Sequence, residues 1–406
     1  MSPQLSLLQP YPFQKLKQLF AGVITNPALA HINLSIGEPK HTTPKLVTDA
    51  LIAHFDGLSA YPATLGSDDL RQSISSWLAR RYSITAPNPA TEIIPVNGSR
   101  EALFAFAQTI IDNSGEGQPI VLSPNPFYQI YEGAAFLAGA EPYFVNCNAE
   151  NRFQPNWGAV PAEIWQRTQL VFTCSPGNPT GAVASLEDWK KLFALSDQYG
   201  FVIASDECYS EIYFGTEKPL GALEAANQLG RDYHNLVVFS SLSKRSNVPG
   251  LRSGFVAGDA KLLAQFLLYR TYHGCAMSPM VQAASAAVWD DEVHVEENRE
   301  LYRQKFATVT PLLQSVMEVH QPDAAFYLWA KINGNDTEFA SKLFAEEHVT
   351  VLPGSYLARS AHGANPGLGY IRIALVAPLN DCIAAAERIV RFCRKHSATL
   401  GTSQAV

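Results

Sequence analysis

The chain has 406 residues, 47% of them hydrophobic and 17% charged, which is enough for two domains around a large core and ordinary for a globular protein. Its 30 Lys and Arg against 37 Asp and Glu leave a net charge of −7, which argues against the basic patch that a nucleic-acid partner demands. The N-terminus Met1-Ser2-Pro3-Gln4 opens without a basic segment followed by a long apolar one, and no stretch has the length of a membrane span, so neither a signal peptide nor a membrane anchor is expected.

The 6 cysteines (Cys147, Cys174, Cys208, Cys275, Cys382 and Cys393) contain no CxxC pair. They read as reduced, mostly buried thiols of a cytoplasmic protein. The 10 histidines show no metal-ligand spacing such as HExxH, so no metal is expected.

Residues 1–45 hold several prolines and one short amphipathic segment, Phe13 to Phe20. This reads as an arm that packs on another part of the molecule, or as a terminus that nothing ties down. Pro44 to Ile52 predicts a helix. From about residue 93 to 258 a pattern repeats of apolar strand, small or polar loop and amphipathic helix. The predicted strands are Ile93–Val96, Ile120–Leu122, Tyr143–Val145, Leu170–Thr173, Val202–Ala204, Leu236–Phe239 and Phe255–Ala257. Between them, Leu103, Phe106 and Ile110 fall at i, i+3, i+7, as do Leu186, Trp189 and Phe193, with Ser185 and Asp188 as a cap. Alternating strands and helices predict an α/β fold with a mostly parallel sheet covered on both faces.

Past about residue 290 the character changes. A polar, charged helix is predicted over Val293–Val309, strands over Tyr327–Ile332 and Tyr370–Leu375, and a final amphipathic helix through Ile383, Ala386 and Val390. The expected organisation is an N-terminal arm (1–45) packing with the small domain, a large domain (46–290), a small C-terminal αβ domain (291–396) and a disordered tail (397–406).

In open parallel sheets, ligands bind outside the carboxyl ends of the strands. The first predicted strand ends in Asn97-Gly98-Ser99-Arg100 and opens a helix, a phosphate cradle or simply a helix cap. Leu170–Thr173 ends in Ser175-Pro176-Gly177-Asn178-Pro179-Thr180-Gly181, a rigid loop that presents an amide or serves only as a turn. Val202–Ala204 ends in Ser205-Asp206-Glu207-Cys208-Tyr209. Asp206 there caps the following element or is a buried carboxylate that needs a partner to stay ionised, with Tyr209 within reach of the same ligand. The run Leu236–Phe239 leads into Ser240-Ser241-Leu242-Ser243-Lys244, with Arg252 eight residues on. This is a lysine at a strand end, ringed by hydroxyls, or a solvated lysine in a loop. Jointly these groups match the phosphate, phenolic oxygen, ring nitrogen and aldehyde of pyridoxal 5′-phosphate.

The same residues carry a resemblance that spans nearly the whole chain. Ser175–Gly181, Asp206 with Tyr209, and Ser241, Lys244 and Arg252 resemble the motifs of the class I/II aminotransferases of fold type I. Leu34-Ser35-Ile36-Gly37-Glu38-Pro39-Lys40-His41 and Pro124 to Gly133 are most similar to the succinyldiaminopimelate aminotransferases of lysine biosynthesis. The resemblance implies pyridoxal phosphate bound to Lys244, Asp206 on the ring nitrogen, and Asn178 and Tyr209 on the phenolic oxygen. Ser99, Arg100, Ser241, Arg252 and Tyr61 would hold the phosphate, Tyr61 from the second subunit of a homodimer. It also implies Tyr128, or Phe127, stacked on the ring and Gly37 near the substrate. Arg372, which the residues alone leave as an edge-strand surface residue, would grip the α-carboxylate. The Asn125–Pro126 and Asn178–Pro179 bonds are expected cis. Substrates would be an amino acid and a 2-oxo acid, first N-succinyl-LL-2,6-diaminopimelate with 2-oxoglutarate. Alternatives on the same site are aspartate, alanine, LL-diaminopimelate or an aromatic amino acid, a β-elimination, or a regulator with a retired aminotransferase domain. Candidate distal cations are Lys40, His41, Arg245 and Arg270.

Overall fold

The computed structural model describes residues 2–400, with side chains to residue 396. Its strands, in chain order, are β1 (Ile32–Asn33), β2 (Ile93–Val96), β3 (Ile120–Asn125), β4 (Glu141–Asn146), β5 (Thr168–Cys174), β6 (Val202–Asp206), β7 (Leu236–Ser241), β8 (Gly254–Gly258), β9 (Tyr327–Lys331), β10 (Val349–Thr350), β11 (Leu352–Pro353) and β12 (Tyr370–Ala374). A 7-stranded sheet has the order β2-β8-β7-β6-β5-β3-β4. Strand β8 runs antiparallel to both its neighbours, and the other pairings are parallel.

The alternation along these strands explains the near-continuous apolar runs. Leu236 and Val238 point into one core with Val171, Ile203 and Phe255, covered by the helices Asp68–Tyr82, Leu186–Tyr199 and Pro279–Asp290. Val237 and Phe239 point into the opposite core with Phe172, Ala204 and Val256, covered by Ser99–Ile110, Ile130–Leu137 and Ala260–His273. Both faces of the sheet are therefore apolar, as a two-sided parallel sheet requires.

The strands outrun the apolar segments at their carboxyl ends. Ladder pairing continues through Cys174↔Asp206 and Asp206↔Phe239, because backbone hydrogen bonding does not depend on whether the side chain is apolar. Asp206 thus sits inside β6. Strand β7 stops at Ser241, so Lys244 is not the end of a strand: it lies on a single helical turn, Leu242–Arg245, whose Ser243 N–H is capped by Ser241 Oγ at 3.1 Å.

A second sheet, β11-β12-β9, is antiparallel and packs with the helices Val293–Gln314, Asp336–Glu347 and Leu379–Leu400 around Tyr302, Phe306, Leu328, Ile371 and Ile389. The first of these helices extends past the predicted end at Val309 and through Pro311. Burial of Leu313 outweighs the one hydrogen bond that proline forfeits. The last helix includes backbone 397–400 of the predicted tail; residues 401–406 lie outside the described residues. The helix Pro12–Leu19 puts Phe13, Leu16 and Leu19 against Trp329, Leu352 and Leu357, and β1 pairs with β10. No helix among the described residues is long and apolar enough to cross a membrane.

One buried ion cluster joins the two halves. Arg81 Nε donates to Glu211 Oε1 at 2.5 Å, and Arg299 donates from Nε to the Glu211 carbonyl at 3.0 Å and pairs with its Oε2 at 3.3 Å. The Arg81 and Glu211 side chains are only 4% and 3% exposed. Removing the carboxylate strands two buried guanidinium groups. Glu211→Ala should therefore lower unfolding stability by about 3–5 kcal/mol in a denaturant titration; a loss under about 1 kcal/mol would show the cluster to be solvated.

Candidate active site

The carboxyl ends of β5, β6 and β7 and the turn after β2 face β12 and the segment after β1 across a cavity of about 620 Å³. That volume lies in the ordinary range for a small-molecule site. Lys244 stands in its wall. Its Nζ donates to the Gly37 carbonyl at 2.6 Å and lies 5.4 Å from the Phe326 ring centroid. Burial brings the ammonium down to about 8, and the nearby Arg372 and Arg100 add to the lowering. Gly37 can approach because it has no side chain: a Cβ there would overlap the Tyr327 hydroxyl.

Asp206 accepts from the Tyr131 hydroxyl at 2.9 Å and from the Cys208 N–H at 3.3 Å. Burial raises its pKa, and among the described residues no cation bonds it. Tyr209 meets the Tyr327 hydroxyl at 2.9 Å. Arg372 lies on the middle strand of its sheet and is buried at 3% exposure, so the edge-strand surface reading is overturned: register places Leu352 on one side of it and Trp329 on the other. It donates to Asn178 Oδ1 at 2.9 Å and to the Ser35 carbonyl at 2.7 Å, with its guanidinium 4.3 Å from the Tyr327 ring centroid. Its Nε has no partner, and no carboxylate pairs with it among the described residues.

At the other end, Ser99 opens the helix Ser99–Ile110 after Gly98, which has φ 87°. A Cβ on Gly98 would overlap the Arg252 guanidinium. Arg252 donates to the carbonyls of Pro249 at 3.0 Å and Asn97 at 3.3 Å and pairs with no carboxylate among the described residues. Ser99 Oγ accepts from the Cys208 thiol at 3.0 Å. Ser241 lines the cavity, but its hydroxyl is engaged by Ser243 and the Ser253 carbonyl. Arg100 Nε donates to the Tyr128 hydroxyl at 2.5 Å. Tyr128 lines the cavity, whereas Phe127 is buried against Phe144 at 4.8 Å.

Not every candidate arrives here. Tyr61 is fully exposed and outside the cavity wall of its own chain. Lys40 is exposed and also outside the wall. Three supposed distal cations are occupied elsewhere. Arg245 is buried and bound to the Val288 and Asp291 carbonyls and Glu292. Arg270 makes a two-point pair with Glu101 at 2.9 and 3.1 Å. His41 bonds Asn298 and Lys305. Sequence neighbours do not reveal a cation's partner when that partner comes from a distant helix. Conversely, Tyr131, Cys208, Tyr327, Glu38 and the arm residues Tyr11 and Phe13 contribute without having been singled out. Tyr131 lies on the first turn of the helix Ile130–Leu137 and Tyr128 precedes that helix, so no helix periodicity links the two. The Asn125–Pro126 and Asn178–Pro179 bonds are cis as expected, and Ser175–Pro176 is cis as well.

Residues 30–389 match the family described as aminotransferase class I and II. The chain belongs to this family. An aminotransferase from Neisseria meningitidis Z2491 superposes with a TM-score of 0.95 at 55% identity, covering 97% of this chain and 100% of that one. The aminotransferase AspB from Helicobacter pylori 26695 gives a TM-score of 0.87 at 35% identity over 96% of this chain and 100% of its own. The LL-diaminopimelate aminotransferase of Aquifex aeolicus (strain VF5) is 32% identical over 396 residues, 96% of this chain and 98% of that protein.

Class I and II aminotransferases depend on pyridoxal phosphate, and the residues present fit it. A buried carboxylate without a cation suits a protonated ring nitrogen. An arginine beside a side-chain-free glycine at a helix N-terminus suits a phosphate. A buried amine with a lowered pKa suits an aldehyde.

Because the lowered pKa leaves Lys244 partly neutral near pH 8, its acylation in cofactor-free protein should have a midpoint near that pH, well below the 10.5 of an ordinary lysine. Site-resolved competitive labelling would measure it, and a midpoint above about 10 would contradict the desolvation.

Proposed function

We propose that this aminotransferase acts on N-succinyl-LL-2,6-diaminopimelate in lysine biosynthesis, with 2-oxoglutarate as partner substrate. The observation that carries this reading is the location of the two stretches with that likeness. Ile36, Gly37 and Glu38 of the first, and Tyr128 and Gln129 of the second, line the cavity. Residues that discriminate substrates must line the cavity, so a likeness there bears on specificity more than one in the core.

In this reading the cofactor, when bound, supplies an aldehyde that bonds an amine and a ring that accepts electrons from Cα. The chain's own residues do the rest. The two terminal nitrogens of Arg372 hold the α-carboxylate as a planar fork, with Asn178 keeping the guanidinium in place. Lys244 Nζ, with its pKa brought down toward neutrality, takes the proton from the substrate's Cα and returns it as general acid. Asp206, steered by Tyr131, provides the negative charge opposite a protonated nitrogen. Tyr209, steered by Tyr327, donates its hydroxyl to a phenolic oxygen beside Asn178. Ser99, Arg100, Ser241 and Arg252 surround the phosphate end, with Ser241 acting mainly by holding the Lys244 turn.

The exposed Tyr61 is assigned to a second copy of the chain, whose phosphate site it would complete, making a homodimer the working unit in the cytoplasm. A fully active monomer by light scattering at assay concentration would remove that assignment.

A second reading, free LL-diaminopimelate, is favoured by the name of the Aquifex relative and by Glu38. This exposed carboxylate in the cavity wall would attract a distal ammonium and oppose a succinyl carboxylate. A panel of amino donors, read by single-turnover absorbance of the bound cofactor, separates the two. Succinyldiaminopimelate should exceed LL-diaminopimelate by about tenfold or more in kcat/KM, about 1.4 kcal/mol in transition-state binding. The reverse order selects the second reading. Preference for aspartate, alanine or an aromatic donor defeats both and leaves the family intact.

A further inference from the structure

The segment after β1 crosses the mouth of the cavity between two anchors. On the near side, the Leu34 N–H donates to the Thr350 carbonyl at 2.8 Å and the Leu34 carbonyl accepts from the Ala374 N–H at 2.7 Å. On the far side stands His41. Its Nε2 accepts from Lys305 Nζ at 2.6 Å, which leaves the ring proton on Nδ1, donated to Asn298 Oδ1 at 2.7 Å. Its carbonyl accepts from the Asn247 amide. Asn298 and Lys305 sit seven residues apart on one face of the helix Val293–Gln314, with the Tyr302 ring between them 4.6 Å from the His41 ring. Asn298 also donates to the carbonyls of Lys244 and Arg245, each at 3.3 Å.

These bonds close a ring. Lys244 Nζ reaches the Gly37 carbonyl; four residues on, His41 reaches Asn298; and Asn298 returns to the Lys244 carbonyl. Between the anchors, the other side-chain bond from the body of the protein among the described residues is that of Arg372 to the Ser35 carbonyl; residues 38–40, between Gly37 and His41, have none. Buried polar groups tied at both ends in this way hold one geometry, because releasing any member leaves its partner unpaired. Lys305, only 2% exposed, would be left with the Val376 carbonyl at 3.4 Å as its acceptor.

We propose that His41 is a positioning residue for the reaction: clamped by Asn298 and Lys305, it fixes residues 36–40 so that the Gly37 carbonyl orients the free amine of Lys244. This rests on Lys244 being the lysine that bears the cofactor. Arg372 is not part of the ring, since its Ser35 contact lies on the near side of the strap, next to the Leu34 anchor.

The test compares His41→Leu, His41→Gln and Lys305→Met with the unsubstituted protein. The first readout is the rate at which cofactor-free protein takes up pyridoxal phosphate, followed by absorbance; the second is kcat and KM. The expected result for His41→Leu is uptake and kcat each lower by about tenfold, with KM for the oxo acid within about twofold. His41→Gln, whose amide can accept from Lys305 and donate to Asn298, should recover most of both. Lys305→Met should impair both in the same sense and gives the answer if His41→Leu does not fold. Normal uptake in folded His41→Leu or Lys305→Met, a glutamine variant as impaired as leucine, or a loss confined to KM would overturn the proposal. Borohydride fixation and peptide mapping keep the premise separate: cofactor on another lysine would refute the role of Lys244, whereas cofactor on Lys244 with unchanged uptake would refute the clamp alone.

Discussion

A sheet buried on both faces can offer a ligand only its strand ends, and that constraint sets the chemistry of this molecule. At the end of β6, on the helical turn after β7 and in the middle of β12, ionisable groups are taken out of water without an ion pair to an opposite charge among the described residues. Asp206 has only neutral donors, Lys244 only a carbonyl, and Arg372 an amide and a carbonyl. Elsewhere several buried charges are matched, Arg81 and Arg299 by Glu211, Arg270 by Glu101 and Arg245 by Glu292, whereas Glu207, Asp336 and Lys305 are held by neutral groups. What sets the cavity apart is that three such groups line it together, a combination that fits a ligand carrying a carboxylate, a protonated ring nitrogen and an aldehyde.

The same contrast explains what could be read from the residues. The alternation of strand and helix from about residue 93 to 258 was legible because both cores are filled by simple period-2 alternation of apolar side chains. Strand ends were not, since pairing runs on through Ser, Asn and Asp, which composition assigns to loops. Lys244, Asp206 and Asn178 stand out because each follows a buried apolar run and adjoins small residues. Arg245, Arg270 and His41 looked equally available, yet each is consumed by a partner from a distant helix, and no local pattern reports that. Arg372 was misplaced to an edge for a related reason: a strand's own residues do not say how many neighbours it has. Tyr327 and Tyr131 carry no such signal because an aromatic in an apolar run reads as core, and here each is core on its ring while its hydroxyl bonds Tyr209 or Asp206.

One element ties the separately positioned groups together. The helix Val293–Gln314 touches the Glu211 carbonyl through Arg299, the Lys244 and Arg245 carbonyls through Asn298, and the His41 ring through Lys305. Glu211 follows Tyr209 by two residues, Lys244 is the proposed reactive amine, and His41 ends the segment that carries Gly37. Three segments that are far apart in sequence are thus referenced to one helix face, and each contact is a polar bond with a defined direction. Dispersion contacts alone would tolerate small slides of these segments past one another, whereas directional bonds to a common rigid helix do not. The backbone of the Lys244 turn, the segment that follows Tyr209 and the segment that carries Gly37 are therefore tied to one helix. The helix that references these segments contributes no residue to the cavity wall itself, so it can position the site without touching a ligand.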